Sequence, residues 1–263
     1  MKALINQINL GFEILGKNGY PIVLIHGFGL DRSIWEEMVG CYMGNAQVIL
    51  PDLRGHGESD AIEGTYTMPL LAADVVGLLD HLGIEKAIVC GHSMGGYVSL
   101  AMADQFPDRL AGLGLITTKA EADSSEKRSG RYALVEDVRE KGAVALAESL
   151  APRISKNPEV IAGSHQIILK TKPLGIIGSA LGMAERSDRT EMLNRITCPV
   201  LVIAGEQDQL IPLSYAQEMA NHLPNVRFLS IQEAGHMPMM ECPKITAMSL
   251  LSLREEIEKQ QQR

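Results

Sequence analysis

The sequence contains no apolar run approaching the roughly 18 residues that a membrane-spanning helix requires. Its first residues, Met1-Lys2-Ala3-Leu4-Ile5-Asn6-Gln7, lack the continuous apolar stretch of a secretory signal. Cysteine is sparse: Cys41, Cys90, Cys198 and Cys242 lie far apart, with no CxxC pair and no zinc-ligand spacing. Reduced thiols, no metal site and a cytoplasmic protein are the expectation. Basic charge is not in excess either. A formal charge of −8 argues against nucleic-acid binding, which calls for a basic face. There is no internal repeat, low-complexity segment or long linker.

What is present has the balance of an ordinary soluble chain: 263 residues, 46% apolar and 21% charged. That length fits one large α/β domain, or a core with an inserted subdomain. Strands are expected at 3–8, 11–15, 21–25, 47–50, 86–90 and 110–117, with helices over 32–43 and 67–82. Alternation of continuous apolar strands with helices is the signature of a parallel sheet covered on both faces. From 118 to 190 the pattern changes to four helical segments without a convincing strand. Strands resume at 199–204 and 226–231, and a helix over 243–258 ends the chain. The domain reading is a core of residues 1–117 and 191–263 with a helical cap of 118–190 over the carboxyl edge of the sheet, where ligands bind in open α/β sheets. The alternative is that these helices merely pack on one sheet face.

Between the strand Ala87-Ile88-Val89-Cys90 and the helical stretch from Gly96 lies Gly91-His92-Ser93-Met94-Gly95. A G-x-S-x-G sequence in a strand–turn–helix context reads as a nucleophile elbow. Ser93 at the tip must adopt a strained backbone, and Gly91 and Gly95 let strand and helix approach without Cβ clashes. The N–H groups that follow lie at a helix N-terminus, where developing negative charge is favoured.

A serine nucleophile requires a base, an acid that orients the base, and an oxyanion hole. Of seven histidines, His236 stands in the loop Glu233-Ala234-Gly235-His236 just after the last strand, where an imidazole can project over the sheet edge. Asp208, 28 positions earlier, follows the apolar strand ending at Ala204. Glu206 is a weaker candidate for the acid, and Glu121 or Asp123 after the preceding strand is another site for it. The order Ser93, Asp208, His236 on successive strand ends converts weak individual assignments into a joint one. The loop His26-Gly27-Phe28-Gly29 follows the strand at 21–25 and offers the Phe28 N–H, with the Met94 N–H, as oxyanion donors. His26 reads as structural, and the polar segment from Pro51 to Asp60 as scaffold. Trp35, Met183 and Met237 are candidates for the apolar wall of a substrate pocket.

HGFGLDRSIW (26–35), DLRGHGESD (52–60), GHSMGG (91–96), GEQDQLIP (205–212) and GHMPMMECP (235–243) together resemble the α/β-hydrolase family across nearly the whole chain. Within it the chain looks most similar to carboxylesterases and 3-oxoadipate enol-lactonase-like hydrolases. The resemblance implies an eight-stranded, mostly parallel sheet, no cofactor, and a small-molecule ester or lactone as substrate. It implies attack by Ser93 with Asp208 and His236, and Phe28 and Met94 at the oxyanion hole. C–C bond hydrolysis or perhydrolysis on the same three residues is an alternative. A ligand-receptor role is another.

Overall fold

Strands whose residues are nearly all apolar and buried form the centre of the structure, a computed structural model that describes residues 1–261. The strands are β1 (Lys2–Ile5), β2 (Ile8–Leu15), β3 (Asn18–Ile25), β4 (Ala46–Pro51), β5 (Ala87–His92), β6 (Leu110–Ile116), β7 (Val200–Gly205) and β8 (Val226–Ile231). They make one sheet in the order β1-β2-β4-β3-β5-β6-β7-β8. β1–β2 and β2–β4 are antiparallel, and every pairing from β4 through β8 is parallel. All six residues of β5 and of β7 are buried, as two-sided coverage demands. β1 instead alternates exposed and buried, the mark of a strand with one wet face.

The crossovers carry α1 (Glu36–Tyr42), α2 (Met68–His81) and α3 (Met94–Gln105). Between β6 and β7 come α4 (Ser125–Lys141), α5 (Val144–Ile154), α6 (Pro158–Lys170) and α7 (Pro173–Ala184). After β7 follow α8 (Leu213–His222), then α9 (Pro238–Glu241) and α10 (Pro243–Gln261) beyond β8. No single helix among the described residues is long and apolar enough to cross a membrane. The architecture is the expected α/β-hydrolase fold, with boundaries shifted by a few residues.

Three local differences have physical causes. Asn6 and Gln7 join β1 to β2 with φ of 44° and 68°, a two-residue turn of the kind usually signalled by glycine. That turn falls inside the strand expected at 3–8. The helix expected over 32–43 is split, because Asp31 accepts from the Ser33 N–H at 2.9 Å and starts a tight 3-10 turn at Arg32–Trp35 before α1 begins. α5 runs on to Ile154, with Pro152 tolerated in its last turn.

α7 is seated by glycines rather than by side chains. A Cβ on Gly175 would stand 2.0 Å from the Gly55 carbonyl oxygen, and one on Gly182 only 1.8 Å from that of Tyr66. The helix therefore lies backbone against backbone on the segment 55–66, and the Tyr66 N–H donates to the Gly178 carbonyl at 2.9 Å. Around it, Arg54 forks onto Asp74 with two 2.8 Å bonds in a fully buried pair. Lys172 donates to the carbonyls of Gly57 and Ser59 at 2.8 and 2.9 Å. The polar run 51–60 thus serves as the scaffold expected of it, and α7 is seated on it.

Candidate active site

Parallel pairing puts the carboxyl ends of β3, β5, β6, β7 and β8 on one edge, and the residues just past each end meet there. Ser93 follows β5 with φ 53° and ψ −114°, a conformation costing about 1–3 kcal/mol in a residue with a Cβ. Its N–H still bonds the Ile116 carbonyl at 2.9 Å, and its own carbonyl accepts from Thr118 Oγ1 at 2.8 Å. A Cβ on Gly91 would lie 2.1 Å from the Gly95 oxygen, and one on Gly95 would lie 2.4 Å from the Ile25 oxygen. Both glycines are required by close approach. Met94 is the first residue of α3, so its N–H has no acceptor within the helix.

Asp208 lies three residues past β7 with its side chain 1% exposed. Oδ1 accepts from the N–H groups of Leu210 and Ile211 at 2.8 and 3.0 Å, and Oδ2 is 2.7 Å from His236 Nδ1. A carboxylate only accepts, so the neutral imidazole carries its proton on Nδ1 and its lone pair on Nε2. The His236 backbone is held as firmly as its ring. Its N–H donates to the Ile154 carbonyl at the end of α5 at 2.9 Å. Its carbonyl accepts from His92 Nε2 at 2.8 Å and from Thr117 Oγ1 at 3.0 Å.

Glu241 is a site residue that the sequence did not reveal. Its Oε2 accepts from the N–H of Gly235 at 2.8 Å and from that of Met237 at 3.0 Å, one on each side of the histidine. Its Oε1 accepts from Ser155 Oγ just past α5. The signal was only an acidic residue in the short helix after the histidine loop.

The loop after β3 is fixed by two buried histidines. His26 donates from Nδ1 to the Gly27 carbonyl at 2.8 Å and accepts the Leu53 N–H on Nε2 at 2.9 Å. His56 accepts the Gly29 N–H on Nε2 at 3.3 Å, and Thr171 Oγ1, just past α6, donates to the Gly29 carbonyl at 2.8 Å. Burial lowers the pKa of His26 to about 4 and that of His56 to about 3. Burial likewise drives His92 far down. All three imidazoles are neutral, which their accepting or bare nitrogens require.

Ser93, His236 and Phe28 open on one cavity of about 450 Å³. Its far wall comes from α4 and α5, including Arg131, Leu134, Leu146 and Leu150, and Met183 of α7 also reaches it. Trp35 and Met237 do not. Trp35 is fully buried with its ring 6.4 Å from that of His92, and Met237 is likewise inside the core. Of the other acids, Glu206 is exposed and takes a bond from Ser230 Oγ at 2.8 Å. Glu121 has its carbonyl on Arg186. Asp123 stands in the cavity wall, but its oxygens are held by Arg186 at 2.9 Å and Arg131 at 3.1 Å. Burial alone would raise its pKa; the two guanidiniums outweigh that and hold it below the usual carboxylate value.

A serine on a strained strand–helix turn, lining the same cavity as a histidine tied to a carboxylate at the carboxyl edge of a parallel sheet, is the layout of one large fold class. The chain belongs to the alpha/beta hydrolase family, whose model matches residues 22–248. A thermophilic esterase from Thermogutta terrifontis, solved with malate bound, superposes with a TM-score of 0.93 at 40% identity over 98% of both chains. The enol-lactonase of Burkholderia xenovorans gives 0.89 at 29% identity, covering 96% of this chain and 99% of that one. The 3-oxoadipate enol-lactonase 2 of Acinetobacter baylyi is 30% identical over 245 residues, 90% of each chain.

Proposed function

We propose that the protein is a serine hydrolase that cleaves a small carboxylic ester or lactone through an acyl-enzyme. The observation that carries this reading is the 2.7 Å contact of His236 Nδ1 with buried Asp208, on the cavity that Ser93 also lines. His236 Nε2 takes the hydroxyl proton as Ser93 Oγ attacks the carbonyl carbon. Asp208 holds the tautomer and stabilises the imidazolium that results. The oxyanion is received by the N–H groups of Phe28 and Met94, the latter backed by the positive end of α3. Collapse expels the alcohol, protonated by His236, or opens the lactone. Water activated by the same imidazole then frees Ser93. The relatives named as esterase and enol-lactonase support the ester and lactone chemistry.

In this reading the helices α4–α7 are a cap, and α4 and α5 supply the substrate wall. A panel of chromogenic esters and lactones tests the proposal. Turnover of at least one of them that disappears in Ser93→Ala supports it; turnover that survives Ser93→Ala removes it.

A further inference from the structure

One helix of the block that follows β6 is fastened at both ends to the loops of the active site. At its amino end, Ser155 stands in the short link between α5 and α6. It is 6% exposed, donates from Oγ to Glu241 Oε1 and accepts the Asn157 N–H at 3.0 Å. The other oxygen of Glu241 holds the N–H groups on either side of His236. The residue before the serine adds a second tie. Carbonyls in the last turn of a helix have no partner within it, and that of Ile154 takes the His236 N–H at 2.9 Å.

At the carboxyl end of α6, Thr171 donates from Oγ1 to the Gly29 carbonyl at 2.8 Å and is itself buried. Gly29 follows Phe28, whose N–H receives the oxyanion in the reading above. The backbone there has no slack. Gly29 has φ 71°, and a Cβ on it would stand 2.5 Å from Leu146 Cδ2 of α5 and 3.7 Å from Ile168 Cγ1 of α6. Between its two ends α6 is closely seated. Asn157 caps it by accepting the Glu159 N–H at 2.9 Å, and Pro158 opens it with a preset φ. Val160, Ser164 and Ile168 form a buried stripe, and a Cβ on Gly163 would lie 3.8 Å from Met240 Cε of α9. The 13 residues of the helix span about 20 Å.

We propose that α6 is a strut that keeps the loop of the base and the loop of the oxyanion hole in register, with Ser155 and Thr171 as its positioning residues. This rests on the hydrolase reading. Neither side chain lines the cavity on which Ser93 opens. Their effect therefore reaches the reaction through His236 and through the Phe28 N–H. A misplacement of about 1 Å in such groups costs on the order of 10²-fold in rate. The loss falls on kcat and leaves KM nearly unchanged, because the interactions disturbed are those of the transition state.

The test removes one hydroxyl at a time, in Ser155→Ala and Thr171→Val, with p-nitrophenyl butyrate as substrate and circular dichroism as the check on folding. Each variant loses about tenfold or more in kcat. Fluorophosphonate labelling of Ser93 slows in parallel, and Ser155→Thr and Thr171→Ser, which return the donors, recover part of the loss. Distant residues without a shared partner change a rate by independent factors. Because one helix joins these two, the double variant loses less than the product of the single losses. Where a variant does not fold, the cysteine replacement at that position takes its place, since S–H is only a weak donor. The proposal is overturned by an unchanged kcat in either folded single variant, by a loss confined to KM, by no recovery in the hydroxyl-bearing variants, or by losses that multiply. Labelling of the wild type reads the hydrolase proposal separately. A labelled wild type with unaffected variants sinks only the strut, whereas a wild type that is never labelled sinks the foundation.

Discussion

Acidification should unfold this protein earlier than its carboxylates alone would dictate, because three buried histidines must stay neutral. In the unfolded chain they take up protons below the ordinary histidine value of 6.5, while in the folded protein His26 resists to about 4 and His56 to about 3. Stability is therefore full above 6.5 and falls as pH drops toward those folded values. Each pH unit in that window costs about 1.4 kcal/mol per histidine. His26 alone forfeits about 3 kcal/mol by the time its folded value is reached, a large share of the 5–15 kcal/mol typical of a folded domain. With His56 and His92 in the same direction, the slope between about pH 6 and about pH 5 approaches roughly 4 kcal/mol per unit. Asp52, whose pKa burial raises, opposes the trend at the lower end of the window.

Urea titrations across this range, followed by the fluorescence of the single, fully buried Trp35, measure the slope. The variant His26→Gln keeps a neutral acceptor for the Leu53 N–H and should flatten it by about 1.4 kcal/mol per unit. A stability that is level between about pH 6.5 and about pH 5 would refute the reasoning, as would a variant with the wild-type slope. In the protein that stays folded, His56 remains neutral to about 3 and keeps accepting the Gly29 N–H, so activity in this window should fall only in step with the folded fraction.

Asp208→Asn keeps an acceptor for the Leu210 and Ile211 N–H groups but removes the charge on His236, so kcat should fall by about 10³–10⁴-fold with the fold intact. Steady-state kinetics showing less than a tenfold loss would contradict that. Glu241→Ala strips an acceptor from the N–H groups flanking His236 and should cost about 1–3 kcal/mol, read from the urea midpoint. It should also lower kcat through loss of alignment of His236, and Glu241→Gln should restore part of both. An unchanged kcat in Glu241→Ala would make the residue purely structural.

The elbow was legible because everything that makes it is local: an apolar strand, two glycines forced by close approach, and a helix. Asp208 and His236 were legible because topology, rather than neighbours in sequence, puts the residues past β7 and β8 on one edge. Glu241 was hidden because an acid in a four-residue helix has no pattern, and its partners are backbone N–H groups plus a serine 86 positions away. Trp35 had the composition of a pocket wall, but the 3-10 turn before α1 points it into the core against His92. The seating of α7 was written in Gly175, Gly178 and Gly182 at helical spacing. It is unreadable without knowing that the opposing surface is backbone.

The central claim, that Ser93 is a nucleophile activated by His236, is tested most directly by intact-protein mass spectrometry after treatment with a fluorophosphonate. The account predicts a single adduct that peptide mapping places on Ser93, with labelling abolished in Ser93→Ala and strongly slowed in His236→Ala. A protein that remains unmodified, or carries the adduct elsewhere, contradicts it.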